Sequence, residues 1–285
     1  MPEPISQVDY WNGAVGERWT TMQEELDRVF APLTEALLAG AGLRPGERVL
    51  DVGCGCGDTA LRAAGQVGAG GAVTAVDVSR PMLARGRARA EARAGSGAPV
   101  AFAPVAWIEA DAQTHPFEPE HDLALSRFGV MFFDASLPAF ANIRRALRPG
   151  GRLAFLCWRA LPENPWVNVA REAVLSVVPA PAPSPPDSPG PFRFADGEAL
   201  AGLLERAGFA RVAVAAIDRD IEIGGDAEAA TRFAVTVGPV SGLLRDLDDP
   251  DLRARAVAAV RAAMPGGGPV RLGAACWLAT ALVPG

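Results

Sequence analysis

Lysine is absent from this 285-residue chain: all 27 basic residues are arginine, set against 33 acidic ones, for a formal net charge of -6. An acidic balance works against a nucleic-acid partner, because phosphate backbones attract basic surfaces. The densest positive run, Arg80, Arg85, Arg87, Arg89 and Arg93, is interrupted by Glu91 and spaced like the solvent face of a helix. Histidine is scarce, with two copies, so few ready proton carriers exist near neutral pH. Four cysteines are too few for a disulfide framework and point to a reducing compartment. No apolar run reaches the roughly 18 residues of a membrane span, and the N-terminus lacks the pattern of a secretion signal. The expectation is a cytoplasmic protein, a monomer or homodimer, with neither membrane nor nucleic acid as partner.

What is present is a strand–helix alternation. Residues 1–44 read as a helical lead-in, with Leu26, Val29, Phe30, Leu33, Leu37 and Leu38 at helical spacing and Tyr10, Trp11 and Trp19 upstream. Strands are expected at Arg48–Val52, Ala72–Asp77, Val105–Glu109, His121–Ser126 and Arg152–Trp158, with helices between them. This is the pattern of a mostly parallel sheet covered on both faces. The second half is less regular. Prolines cluster from Pro179 to Pro186, a helix is expected over Ala195–Ala207 and a strand over Val212–Ile217. Helices are expected over 227–240 and 249–263, and a last strand over Val270–Leu282.

The first strand runs into Gly53-Cys54-Gly55-Cys56-Gly57-Asp58. Glycines at a strand's carboxyl end permit a tight turn and close approach of a ligand, and the next helix offers free N–H groups. A P-loop would need Lys followed by Ser or Thr, which is not there. A dinucleotide fingerprint is Gly-x-Gly-x-x-Gly, whereas here Gly57 arrives one residue early. Asp77, at the end of the second strand, would suit a ribose in either class. Asp51 separates the two, since a carboxylate beside the turn is unhelpful to a pyrophosphate and useful to a cation.

Val49-Leu50-Asp51-Val52-Gly53-Cys54-Gly55-Cys56-Gly57 resembles the first motif of class I S-adenosylmethionine-dependent methyltransferases. The stretch from about Tyr10 to Arg159 resembles the UbiE-like, type 11 small-molecule branch. The supporting pieces are Val76-Asp77-Val78-Ser79 with Met82, Glu109 to Gln113, Ser126 to Phe133, and Leu147 to Gly151. Cys56 departs from the Thr or Ser often found there. The resemblance implies a three-layer αβα Rossmann-like fold, α/β in class, with seven mostly parallel strands and an antiparallel last strand. It implies that residues 1–44 cover the active site, and that 45–285 form the methyltransferase domain. Insertions at about 160–195 and 225–265 would form a lid on the substrate pocket.

The same resemblance implies S-adenosyl-L-methionine as cofactor and S-adenosyl-L-homocysteine as product. Gly53, Cys54, Gly55 and Gly57 would pass under the methionine moiety, with Asp51 near its amino group. Asp77 would bond the ribose hydroxyls, and Val78 and Met82 would pack around ribose and adenine. Asp111 would reach the adenine amino group, with Ala112 along the ring. Ser126, Trp19 and Gln23 would complete the cofactor site. A small-molecule acceptor would meet Tyr10, Trp11, Phe128, Met131, Phe132, Asn164 and Trp166. His115 and Arg127 are the catalytic candidates. Simpler roles stand beside these: Asp111 as a loop cap, Trp11 and Trp19 as core, and Phe128 to Phe133 as ordinary packing.

Cys54 and Cys56 are spaced like metal ligands, but no second pair accompanies them, so no metal is expected. His121 is expected to be structural. Methyl transfer from a sulfonium is a direct displacement by an oxygen, nitrogen or carbon nucleophile, so alignment and exclusion of water suffice for an acidic acceptor such as a phenol, enol or quinone-like ring. A nicotinamide-dependent oxidoreductase and a non-catalytic partner protein on the same fold are the competing readings.

Overall fold

Four of the five residues of β1 (Arg48–Val52) are buried, and strands pair with it on both sides. Such a strand is mostly apolar, as Val49, Leu50 and Val52 are, with Asp51 the buried exception. The computed structural model describes residues 6–95, 102–182, 185 and 188–285. Of the proline cluster, residues 183, 184 and 186 fall outside that range.

Three helices lead in: α1 (Gln7–Asn12), α2 (Ala14–Thr21) and α3 (Gln23–Ala41). After β1 come α4 (Asp58–Val67), β2 (Ala72–Asp77), α5 (Arg80–Gly95), β3 (Val105–Glu109), β4 (His121–Arg127), α6 (Ser136–Ala146) and β5 (Leu147–Trp158). The rest comprises α7 (Pro165–Leu175), α8 (Gly197–Arg206), β6 (Ala210–Gly224), α9 (Ala227–Thr236), α10 (Pro239–Arg245), α11 (Pro250–Ala263) and β7 (Val270–Leu282). The seven strands form one sheet in the order β3-β2-β1-β4-β5-β7-β6. Helices flank it, six strands run parallel, and the last in sequence is antiparallel. At one end of the β5–β7 pair, Val283 N–H bonds the Gly151 carbonyl at 2.8 Å and Gly150 N–H bonds Val283 at 3.1 Å. The strand order reverses direction between β1 and β4, which opens a crevice at their carboxyl ends. Asp51 pairs in register with Ala75 and Leu125 at that edge.

The chain divides into two compact units, one of residues 1–157, 189–216 and 277–285, the other of 158–188 and 217–276. The first unit's core is built on Leu50, Val76, Leu123, Leu125, Phe140 and Phe155, all buried. The second unit's core includes Trp158, Trp166, Ile221, Phe233 and Val260. One helix here was not expected and one expectation changes. α7 follows β5, with Pro165 in its first turn, where no N–H is needed. The helix expected over 227–240 is two helices, because Gly238 at φ +73° breaks the chain and Pro239 starts the next one.

The arginines of α5 range from solvated to half-buried: Arg80 is 74% exposed, Arg85 39% and Arg89 22%. Arg80 pairs with Glu109, Arg85 with Gln23 and Glu24, and Arg89 with Asp27 and the Cys56 carbonyl. Arg93 donates to the Leu61 carbonyl and lies over the Phe102 ring. The lead-in is fastened to the loop after β2 through the main chain. The Asn12 amide donates to the Val78 carbonyl at 2.8 Å and accepts from the Arg80 N–H at 2.9 Å. The Ser79 hydroxyl donates to the Trp11 carbonyl at 2.7 Å. Gly16 makes room for this contact, since a Cβ there would lie 1.9 Å from the Trp11 carbonyl oxygen and 2.9 Å from Ser79 Oγ.

Candidate cofactor site

The turn after β1 needs glycine. Gly53, Gly55 and Gly57 have φ values of +67°, +54° and +84°. At Gly53 the demand is double, because a Cβ would also lie 2.8 Å from the Gly129 Cα. Gly129 is equally confined, with Val52 O and Gly53 Cα both within 3 Å of where its Cβ would stand. The two loops, after β1 and after β4, therefore touch backbone to backbone. Phe128, just before, takes φ +66°, an uncommon conformation for a bulky side chain. Its buried ring packs edge-on against Phe30 at 5.8 Å.

Two carboxylates end adjacent strands at this edge. Asp77, expected at a ribose, accepts the Gly55 N–H at 2.7 Å and the Ser79 N–H at 2.8 Å and so shapes the turn itself. Burial pushes its carboxyl up, against the pull of N–H donors from Ser79, Gly55 and Val78. Asp51 is fully buried. Its Oδ2 accepts the Thr59 hydroxyl at 2.5 Å, and its Oδ1 has no hydrogen-bond partner. Burial raises the Asp51 carboxyl to about 7. Burial and the two carboxylates push the Cys54 thiol well up, and burial takes Cys56 to about 11, so neither is a ready nucleophile.

Over the lead-in and the loop after β4, four aromatic side chains gather. Trp11 meets Tyr10, Trp19 and Phe132 edge-on, with centroids 5.3, 5.7 and 5.1 Å apart. All four rings keep part of their surface exposed. Met82 lies beside the glycine turn, its Cε 2.8 Å from where a Gly55 Cβ would stand, and Val78 follows β2 with its carbonyl bonded by Asn12. Ser126 is buried and accepts the Gly129 N–H at 3.2 Å. Ala112 is buried, and Asp111 binds the Gln113 N–H and side-chain amide, the loop-capping arrangement.

Other candidates have structural tasks. Arg127, expected to be catalytic, donates to Asp58 at 2.8 Å and Thr34 at 2.6 Å in a buried ion-pair group, because a buried guanidinium needs an anion. Gln23 bridges Asp27 and Arg85, at 2.6 and 3.0 Å, and so ties α3 to α5. His115 packs its ring edge-on against Phe117 at 4.7 Å. Its carbonyl accepts from Asn142. Met131 is 1% exposed, a core residue. Asn164 and Trp166, expected at the acceptor, are core to the second unit. Asn164 donates to the Arg159 and Ala160 carbonyls and accepts from the Trp166 indole and the Ala275 N–H, so both ends of its amide are satisfied. His121 has both ring nitrogens in bonds, to the Ala146 carbonyl and Thr74, the structural role expected for it.

Residues missed from sequence are Thr59, Gly129, Asn12 and Gly16. A Thr in the first turn after a glycine loop ending in Asp is the one available signal for Thr59.

Residues 49–151 match the family described as a methyltransferase domain. An uncharacterised protein of Mycobacterium tuberculosis is 37% identical over 146 residues, covering 51% of this chain and 48% of that protein. The ubiquinone/menaquinone biosynthesis C-methyltransferase UbiE of Ruegeria sp. is 34% identical over 131 residues, 46% of this chain and 50% of that one. The chain thus spans about half the length of the curated relatives it matches. In fold it is similar to a phosphoethanolamine N-methyltransferase of Haemonchus contortus solved with S-adenosyl-L-methionine. That match has a TM-score of 0.58 at 18% identity and covers 100% of this chain and 62% of that one. Residues 49–151 are thus similar to methyltransferase domains, and the fold is similar to that of a methyltransferase solved with S-adenosyl-L-methionine. The residues present fit such a group, since an unpartnered buried carboxylate oxygen beside a glycine turn suits a cation.

Proposed function

We infer that the protein is a methyltransferase that moves a methyl group from S-adenosylmethionine to a small-molecule acceptor. The observation that carries this is the Asp51 Oδ1 oxygen, buried and unpartnered beside the glycine turn. Burying such an oxygen without a donor costs about 1–3 kcal/mol, a cost that a cationic ligand removes. Asp51 faces the cofactor's ammonium and Asp77 its ribose, while Val78, Met82 and Ala112 pack on the sugar and base. When bound, the cofactor supplies a methyl group already activated on a sulfonium. The chain's own part is then to orient the acceptor and keep water away. Tyr10, Trp11, Trp19 and Phe132 do this as a cover contributed by residues 1–44 and the loop after β4. Such alignment is worth up to roughly 7–11 kcal/mol.

The acceptor is an oxygen, nitrogen or carbon nucleophile that needs no strong base, and the name of the UbiE relative makes a quinone-like or phenolic ring the first to try. Residues 160–195 and 225–265 are assigned the selection of that acceptor. The test is calorimetry followed by transfer of a labelled methyl group to a panel of phenols, enols and quinols. Micromolar binding of S-adenosylmethionine with no binding of NADH is expected. Tight NADH binding with no S-adenosyl ligand bound at millimolar concentration would overturn the assignment in favour of an oxidoreductase.

A further inference from the structure

Asp51 and Thr59 are held by different elements that meet under the glycine turn. Thr59, 3% exposed, stands in the first turn of α4, so the helix fixes its hydroxyl, and that hydroxyl takes Asp51 Oδ2 at 2.5 Å. The opposite oxygen, Oδ1, is left bare. The charged and titratable groups facing Asp51 are Asp58 from α4, Asp77 from β2, Arg127 from β4 and Cys54 in the turn. Arg127 is the one cation in that set, and it is committed to Asp58 at 2.8 Å. Nothing in this set neutralises Asp51 in the ligand-free protein.

We propose that Thr59 is a positioning residue that turns the second oxygen of Asp51 toward the cofactor's ammonium, and that loading the cofactor expels a proton from Asp51 to solvent. The inference rests on the cofactor assignment above and adds a proton to it. The balance is simple. The free protein holds the neutral acid, with its proton on the oxygen that Thr59 does not use. The incoming ammonium brings its own positive charge, pairs with the carboxylate, and the acid proton leaves to water. Burial, with Asp77 and Asp58 pushing up and Thr59 and Arg127 pulling down, sets the free acid at about 7. A carboxyl at that value makes binding of the ammonium about tenfold weaker at pH 6 than at pH 8. Asp77 also titrates upward, so a control ligand must keep the ribose.

The experiment is calorimetry on the full chain from pH 6 to pH 8, in buffers of differing ionisation enthalpy. The ligands are S-adenosylhomocysteine and 5′-methylthioadenosine. The second keeps adenine, ribose and sulfur but has no amino-acid arm. S-adenosylhomocysteine is expected to bind about tenfold more weakly at pH 6, releasing close to one proton, while 5′-methylthioadenosine changes little. Thr59→Ser should keep this behaviour. Thr59→Val should move the pH window upward and weaken S-adenosylhomocysteine about tenfold at pH 7, with 5′-methylthioadenosine binding reporting that the site is folded. If S-adenosylhomocysteine binds equally at all pH values without proton release, or if both ligands share one pH dependence, the proton coupling is wrong and the cofactor assignment stands. Thr59→Val binding both ligands like the wild type would remove Thr59 from the role. If wild-type protein binds neither ligand, the cofactor assignment falls and takes this inference with it.

Discussion

The floor of the glycine turn and the ion-pair group beneath α4 each bury a carboxylate, and the two are handled in opposite ways. Asp58 is met by Arg127 at 2.8 Å, Arg62 at 2.7 Å and Thr34 at 3.2 Å. Burial alone would raise its carboxyl, but Arg127, Arg62 and Thr34 outweigh it and hold the group below its ordinary value. Asp51 has the Thr59 hydroxyl and a bare oxygen, and its carboxyl rises to about 7. Burial alone therefore says little about a carboxylate's purpose. A satisfied one holds helices to the sheet. A deprived one, at a strand end beside glycines, is waiting for something the chain does not contain.

The largest way to break this contrast is Asp58→Ala. It takes the nearest anion from the buried Arg127 and should cost about 3–5 kcal/mol of stability, read as a lower denaturant midpoint. Asp51→Asn should do the reverse to stability while damaging the ligand site. Losing a hydrogen bond to a charged group predicts a fall in S-adenosylhomocysteine affinity of roughly ten- to a hundredfold at pH 8. The sign of the pH effect follows from the raised carboxyl. In the ligand-free protein the folded state keeps the Asp51 proton longer than the unfolded state, so this group's contribution is full below about pH 4 and is lost as pH rises through about 7. Thermal melts without ligand should therefore show Asp51→Asn more stable than wild type above pH 7, and a flatter profile between.

Asn164→Ala sharpens the comparison from the second unit. It removes the acceptor of the Ala275 N–H and the two bonds to the Arg159 and Ala160 carbonyls, for about 1–3 kcal/mol of stability, with cofactor affinity unchanged in calorimetry. A change in cofactor affinity would show that Asn164 does more than hold its own unit together. His115→Ala is the smallest. Its ring meets Phe117 and lies in a loop, so turnover should fall less than threefold. A loss of a hundredfold or more would restore it as a base.

Strand and helix alternation, the turn glycines and the two strand-end aspartates were legible because each is written in a short stretch of chain. Gly53 announces its turn locally. Gly129, which it touches, does not, because the partners are far apart in sequence and a lone glycine after Phe128 has many ordinary explanations. Thr59 was easy to overlook for a related reason, since a hydroxyl in a helix's first turn is usually a cap. Arg127 and Gln23 were placed at the ligand by resemblance, and the ion-pair group that holds them is assembled from α3, α4, α5 and β4. Asn164 and Trp166 were expected at the acceptor because they follow the fifth strand, a position that does not reveal that they begin α7 and are buried with the second unit.

The fastening of the lead-in has a consequence for variation. Asn12 grips the carbonyl of Val78 and the N–H of Arg80, atoms that every residue but proline possesses. The side chain at 78 is thus at liberty to diverge without loosening that grip. A randomised library at this position should return many well-folded members, whereas one at Asn12 should return few.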